Sequence, residues 1–241
     1  MPYSNQYLTE VVCGFNFIHN AIPWDSTYFG QYYEKIREHG FTEKQERKGF
    51  QIEITTNPFQ SVASAGAQTL NDQMIFKNPD SGWAIVMAKG QISFHIVKDY
   101  TNWQDFRNNF IAPFADLYKQ IGLDAGIRNC HIVYLNRLVK DVSEDLSEYF
   151  TIISPLHGKF GSENNTILQR TFNNQGKNEV FTRLIGQVHG DKRQINFECG
   201  AICINQECMK NPDWVKQADE THEPIRSFFE EIITDKLRQE L

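Results

Sequence analysis

Cys130-His131-Ile132-Val133-Tyr134-Leu135-Asn136-Arg137-Leu138 is the stretch on which the fold turns. It is short, apolar and rich in β-branched and aromatic side chains, so its length and flanks read as a strand and not a helix. Near the N-terminus, Val11-Val12-Cys13-Gly14-Phe15-Asn16-Phe17-Ile18 has the same character. The segments after each of these two runs come in a similar order, so the mid-chain strand restarts a pattern already written once.

In the first half, Asp25 or Ser26 is placed to cap a helix from about Thr27 to Glu38, with Phe29, Tyr32, Tyr33 and Ile36 on one stripe and Gly40 as its stop. Phe50 to Ile54 and Ile92 to Ile96 alternate with period two, and Trp83 to Met87 is a continuous apolar run between them. Turns are marked by Asn78-Pro79-Asp80-Ser81-Gly82 and by Lys89-Gly90, while Pro58 to Leu70, rich in Ser, Ala and Gly, reads as loop. Thr101-Asn102-Trp103-Gln104 has the form of a capping box. It opens a helix whose apolar face is Trp103, Phe106, Phe110, Phe114, Leu117 and Ile121, ended by Gly122 and bent or split by Pro113.

After the mid-chain strand come a short acidic helix within Asp141 to Phe150 and strand candidates near 166–172, 180–188 and 194–204. A closing helix runs from about Pro212 to Leu241 with Trp214, Ala218, Ile225, Phe229, Ile232 and Leu237 inward, and Pro224 is expected to start a second segment of it. The expectation is an α+β protein, a tandem pseudo-repeat of strand, helix, antiparallel meander and helix, with halves 1–124 and 125–241 packed as one unit. Helices on one face of a curved sheet leave its other face open. In topology this is similar to TATA-binding-protein-like and helix-grip architectures, and the open face is where a ligand is expected.

Composition narrows the classes. The chain has 241 residues, 40% of them apolar and 13% aromatic, with Gly 15 and Pro 8, which excludes collagen-like, low-complexity and broadly disordered chains. Its charge of -6 comes with no long basic tract, which disfavours nucleic acid as a partner. The N-terminus lacks the basic and apolar regions of a secretory leader, and no run reaches the roughly 18 apolar residues of a membrane helix, so the expected home is the cytoplasm, with no membrane partner. Five cysteines, Cys13, Cys130, Cys199, Cys203 and Cys208, lack CxxC spacing and read as reduced core residues, with a Cys199-Cys203-Cys208 metal site disfavoured.

No Walker loop, dinucleotide turn or Gly-x-Ser-x-Gly elbow is present, and no cofactor is expected. Glu220, His222 and Glu223 read as a helix N-terminus and not as metal ligands. Asp141, Glu144, Asp145 and Glu148 share a side if that segment is helical, where the first-turn dipole welcomes acids. Asn136 and Arg137 stand out, since a planar guanidinium at the end of a central strand grips carboxylate or phosphate; the competing role is a salt bridge to the acidic segment. His95 and His131 lie on strands, where a satisfied sheet histidine competes with a base. Arg170, Arg183 and Arg193, if on the open face with Phe172 or Phe181, would form a cationic and aromatic surface.

Glu10-Val11-Val12-Cys13-Gly14-Phe15 with Phe17, then His131 to Arg137, then His222, Ile225, Phe229, Glu230, Ile233, Thr234 and Arg238 together resemble a sporadically distributed bacterial family of uncharacterised proteins. The likeness spans the chain, and its specificity lies in the order and spacing of short motifs. It implies a bacterial, cytoplasmic, full-length single unit, of the accessory or defence-linked kind, with no assigned activity.

The expected function is a non-catalytic binding protein that holds a protein partner or small ligand on the open sheet face and self-associates as a homodimer. Its candidate ligand-binding residues are Asn136, Arg137, His131 and Arg183. The alternative is an enzyme acting on nucleotide or nucleic acid with His131 or His189 and nearby acids. That alternative demands a pocket where two or more of His95, His131, His189, Glu198 and Arg137 converge.

Overall fold

The computed structural model describes residues 7–18, 24–47, 50–56, 63–69, 73–123, 126–153, 165–203 and 213–240. Its strands are β1 (Leu8–Phe17), β2 (Glu43–Arg47), β3 (Phe50–Thr56), β4 (Ala63–Thr69), β5 (Gln73–Asn78), β6 (Trp83–Ala88), β7 (Gln91–Ile96), β8 (Ile127–Asp141), β9 (Asn165–Asn174), β10 (Asn178–His189) and β11 (Lys192–Cys203). The helices are α1 (Thr27–Ile36), α2 (Trp103–Asp105), α3 (Ala112–Gln120), α4 (Trp214–Ile232) and α5 (Asp235–Glu240). The fold is α+β. Nine strands form one sheet in the order β2-β5-β6-β7-β1-β8-β11-β10-β9, and every neighbouring pair in it is antiparallel.

Period-two alternation sorts the sheet into two faces. On one lie Val11, Cys13, Phe15 and Phe17 of β1, Phe94 of β7, Ile132 of β8 and Phe197 of β11, none more than 4% exposed. Helix-to-strand ring contacts fall on this face: Trp214 of α4 meets Phe15 at 4.9 Å and Phe17 at 5.1 Å, and Tyr32 of α1 meets Phe76 of β5 at 5.9 Å. Each such aromatic, moved from water into this layer, stabilises the fold by roughly 1.5–3 kcal/mol. The opposite face keeps Glu10, Val12, His95, His131, Val133 and Leu135 half-buried, and Arg137 and Arg183 exposed. Among the described residues no helix is long and apolar enough to cross a membrane.

The apolar stripe predicted from Trp103 to Ile121 is present, with Phe106, Phe110 and Phe114 at most 4% exposed. Its cap differs. Asn102, not Thr101, is the N-cap: its Oδ1 accepts from the Asp105 N–H at 2.9 Å, while Thr101 Oγ1 donates to Asp105 Oδ2 at 2.8 Å. Pro113 lies in the first turn of α3, where it follows a π-helical turn at Phe106–Ile111, and the Ala112 N–H reaches the Arg107 carbonyl. Widening the turn is one way a helix absorbs a residue that lacks an N–H.

Pro224 gives the larger correction, since α4 runs through it and the break falls at Ile233 and Thr234 instead. Proline at position 224 leaves the Glu220 carbonyl without its i→i−4 donor. Asn178 of β10, 5% exposed, supplies the missing bond, its Nδ2 donating to that carbonyl at 3.0 Å. Glu220, His222 and Glu223 therefore sit in mid-helix and not at an N-terminus. Ala63–Thr69, expected as loop, is a strand paired with Phe50–Thr56.

The acidic segment is also not a helix; only Leu146–Glu148 makes a single 3-10 turn, so its four acids do not share a side. Each has a partner of its own: Asp141 pairs with Lys192 at 2.7 Å, Glu144 accepts from the Tyr149 hydroxyl, Asp145 caps the Ser147 N–H at 2.9 Å, and Glu148 pairs with Lys236 at 2.5 Å. Cys13, Cys130 and Cys199 are free and buried, but Cys203 is disulfide-bonded, contrary to the expectation of reduced thiols throughout.

Asn178→Ala should lower stability by about 1–2 kcal/mol, the cost of a buried unsatisfied carbonyl. In the Pro224→Ala background, where the helix supplies its own N–H, the same change should cost less than half as much. Urea unfolding of the four variants of this double-mutant cycle measures the coupling; additive losses would disprove the compensation.

Candidate functional site

Among the described residues no helix lies on the other face of the sheet, which is organised by cross-strand register. One row aligns Ile202, His131, Gly14, Ser93 and Val86 across β11, β8, β1, β7 and β6. The next aligns Gly200, Val133, Val12, His95 and Ala84, and a third brings Arg183, Glu198, Leu135 and Glu10 into line. Strands far apart in sequence thus deliver Glu10, Ser93, His95 and His131 to the middle of one surface.

Glycine at the centre of it makes room for a neighbouring ring. A Cβ on Gly14 would stand 2.2 Å from Cε1 and 2.4 Å from Nε2 of His131, so the imidazole covers the bare backbone of β1. Glu10 is aimed by a β-bulge at Thr9: Leu8 opposes Asn136, yet Glu10 opposes Leu135, and Thr9 Oγ1 donates to the Leu135 carbonyl at 3.0 Å. The extra residue lets Leu8 stay with the core face while Glu10 faces the open side.

Three of these side chains form a continuous hydrogen-bond chain. His95 Nδ1 lies 2.6 Å from Glu10 Oε1, and His95 Nε2 lies 2.8 Å from Ser93 Oγ. With Glu10 ionised, Nδ1–H donates to the carboxylate, which leaves Nε2 to accept the serine proton. Exposure rises along the chain, from 3% at Ser93 to side-chain values of 18% at His95 and 31% at Glu10. Beside it, burial first and the proximity of His95 second push the His131 pKa down to about 4, so the ring is neutral at pH 7.

Hydroxyl, imidazole and carboxylate in this order are the elements of an activated nucleophile. The surroundings are less favourable to that use: β7 is flanked by β1 and β6, so its backbone N–H groups serve the ladders and do not converge on a point above Ser93 where an oxyanion would need donors. As a recognition surface the same groups offer a hydroxyl, two imidazoles and a carboxylate among Val12, Val133 and Leu135.

Of the sequence-derived candidates, His131 lies within this centre and Arg137 and Arg183 lie exposed on the same face. Arg137 opposes Asn196, and among the described residues its side chain has no hydrogen-bond or ion-pair partner, so the salt bridge to the acidic segment is not made there. Asn136 is turned to the opposite face, its Nδ2 donating to the Phe197 carbonyl at 3.5 Å, so it and Arg137 do not form one clamp. Arg183 shares its face with Phe181, whose ring covers Gly200. Arg193 is 5% exposed on the helix side, and Phe172 also points there. His189, opposite Lys192 at the far end of β10, is away from the centre. Sequence alone does not single out Glu10 and Ser93; the Ser-x-His spacing puts Ser93 and His95 on one strand face, but only the register adds Glu10.

A second polar cluster is internal. Tyr100 and Tyr134 hydroxyls are 2.9 Å apart, His222 Nε2 lies 3.0 Å from the Tyr134 hydroxyl, and the His222 ring stacks on Trp103 at 4.3 Å. Trp103 Nε1 donates to Asp219, which also faces Arg107 at 3.3 Å. Burial pushes the His222 pKa down to about 4 and that of Tyr100 up to about 12. This network ties α2 and α4 to β8. Among the described residues no group of three or more His, Cys, Asp or Glu is placed to hold a metal. Comparison with known protein families, with characterised proteins and with solved structures finds no match to this chain.

His131 and His222 both bind protons less readily folded than unfolded, with pKa near 4 against an ordinary 6.5. Their contribution to stability is complete above pH 6.5 and is lost as pH falls toward 4. Moving from pH 7 to pH 5 should cost about 1–2 kcal/mol for each histidine. His131→Gln should flatten that slope in urea unfolding at the two pH values; an unchanged slope would show that His131 is not a contributor.

Proposed function

We propose that this chain is a non-catalytic binding protein that holds a protein partner or a small ligand on the sheet face opposite its described helices. Glu10, Ser93, His95 and His131 form the recognition centre, with Arg137 and Arg183 nearby on the same face. The observation that carries this is the contrast between the two faces at the middle of the sheet: one packs its central strands against helices, while the other carries a connected polar centre, with Ser93 buried and Glu10, His95 and His131 half-buried, among aliphatic side chains.

The proposed molecule is a duplicated unit. Support comes from the sheet order, in which β1 and β8 sit side by side at the middle and a three-strand meander extends outward from each, β7-β6-β5 on one wing and β11-β10-β9 on the other. The bacterial family whose motif order this chain resembles is its proposed home. The motifs fall on β1, β8 and α4 with the start of α5, the elements on which the centre of the molecule is built.

Native mass spectrometry of the protein purified from its own cells tests the binding function. A bound species is expected on the wild type and lost from Arg137→Ala, while the melting temperature of that variant stays the same because the side chain is exposed. Retention of the same species by Arg137→Ala and by His131→Ala, or no bound species at all, would remove the basis for capture on this face.

The order Ser93, His95, Glu10 favours one alternative, an acyl-transfer enzyme. Ser93 Oγ would attack an ester carbonyl, its proton passing to His95 Nε2 and on to the leaving alcohol, and water would then release the acyl group by the reverse route. A fluorophosphonate probe separates the two. For a binding protein the intact mass is unchanged after incubation; a Ser93 adduct absent from His95→Ala would establish the enzyme.

A further inference from the structure

We propose that the notch between β9 and α4, on the helix side of the sheet, is a docking site for an amphipathic helix of a partner protein with a basic flank. Among the described residues the sheet reaches further than its helical cover on this wing. α4 packs against β8, β11 and β10. Along the helix side of β9, exposure rises from 7% at Thr166 to 44% at Phe172. Between β9 and α4 lies a groove of about 1050 Å³. Its apolar lining is Phe172, Val180, Pro224 and Phe228, with the Phe172 and Phe228 rings 5.6 Å apart.

The other wing shows what fits such a place. There α1 lies between β5, the strand next to the edge strand β2, and α3: Tyr32 and Tyr33 pack on Phe76, and the Tyr32 hydroxyl donates to the Phe114 carbonyl at 2.9 Å. The corresponding space beside β9 contains no described helix, although it offers similar boundaries, an aromatic on a strand toward the sheet edge and the flank of a helix. A helix laid there would complete the layer and bury Phe172.

Charge sets the chemistry of the occupant. Glu220, Glu223, Ser227 and Glu231 recur at helical spacing along the groove wall of α4. Lys216 neutralises Glu220 at 3.8 Å, and Lys177 stands on the turn beyond β9. Among the described residues Glu223 and Glu231 have no cationic partner, so the stretch toward the C-terminal end of α4 is acidic. A partner helix therefore needs aliphatic or aromatic residues at i, i+3, i+4 and i+7 and lysine or arginine on the edge facing Glu223 and Glu231.

The test uses two labelled fourteen-residue helical peptides, each with a leucine stripe, one flanked by lysine and its twin by glutamate, titrated into the full chain by fluorescence anisotropy. Saturable binding of the lysine peptide is expected, at least tenfold tighter than the glutamate peptide. Glu223→Lys with Glu231→Lys should reverse that preference, and Phe172→Ser should abolish saturation with only a few degrees' fall in melting temperature, the loss of its ring contact with Phe228. Absence of saturable binding, equal affinity for both peptides, or wild-type affinity in Phe172→Ser would each overturn the proposal. The groove is on the other side of the sheet from His131, so Arg137→Ala should leave peptide binding intact and keeps this result separate from ligand capture on the open face.

Discussion

The antiparallel ladder between β1 and β8 is the constraint on which the other features depend. It joins segments more than a hundred residues apart, as in the bond from Asn16 Nδ2 to Asn129 Oδ1 at 2.7 Å with a separation of 113 residues. Because side chains alternate strictly, a slip of one residue would turn Cys13, Phe15 and Phe17 out to water and force Glu10 into the aromatic layer. Two irregularities, at Thr9 on β1 and between Ile127 and Asn129 on β8, hold the register at both ends. The same pairing brings His131 over Gly14. The core, the polar centre and the room left by glycine all follow from one alignment.

Packing on the helix side then decides which local rules are obeyed. Proline at 113 and at 224 would ordinarily interrupt their helices, and in both places tertiary structure accommodates it. Around Pro113 the helix widens so that Phe106, Phe110 and Phe114 remain on the core side, where Phe110 stacks on Trp83 at 4.5 Å. At Pro224 a side chain from the sheet supplies the lost donor. The second solution also fastens α4 to β10, so a residue that weakens the helix in isolation strengthens its attachment.

These compensations mark the boundary of what a linear reading delivers. Apolar β-branched and aromatic runs, period-two alternation and period-3.6 stripes between them locate β1, β6, β7, β8, β10, β11, α1, α3 and α4, because each commits side chains to apolar packing. Ala63–Thr69 carries no such commitment in its composition, and Asp141 to Phe150 has acids at helical spacing that each find a separate cation, hydroxyl or amide; there the local signal misleads. For the site, residue types on single strands are legible, notably His95, His131, Arg137 and Arg183. The grouping of Glu10 with Ser93 and His95 depends on two ladders and a bulge, none of which leaves a trace in adjacent letters. Asn136 and Arg137 show the reverse error: neighbours in sequence, they are separated by the thickness of the sheet.

The length of chain between the two central strands also has a consequence during synthesis. A ribosome adding roughly 5–20 residues per second needs on the order of ten seconds to pass from β1 to the end of β8. For that interval the newly emerged N-terminal portion displays an unpaired strand border with Val12 and Gly14 beside it, in the state most exposed to misassociation with other nascent chains. Protection of that border, by a chaperone or by delayed early folding, is therefore a demand that the finished protein, with the border buried in the middle of its sheet, no longer reveals.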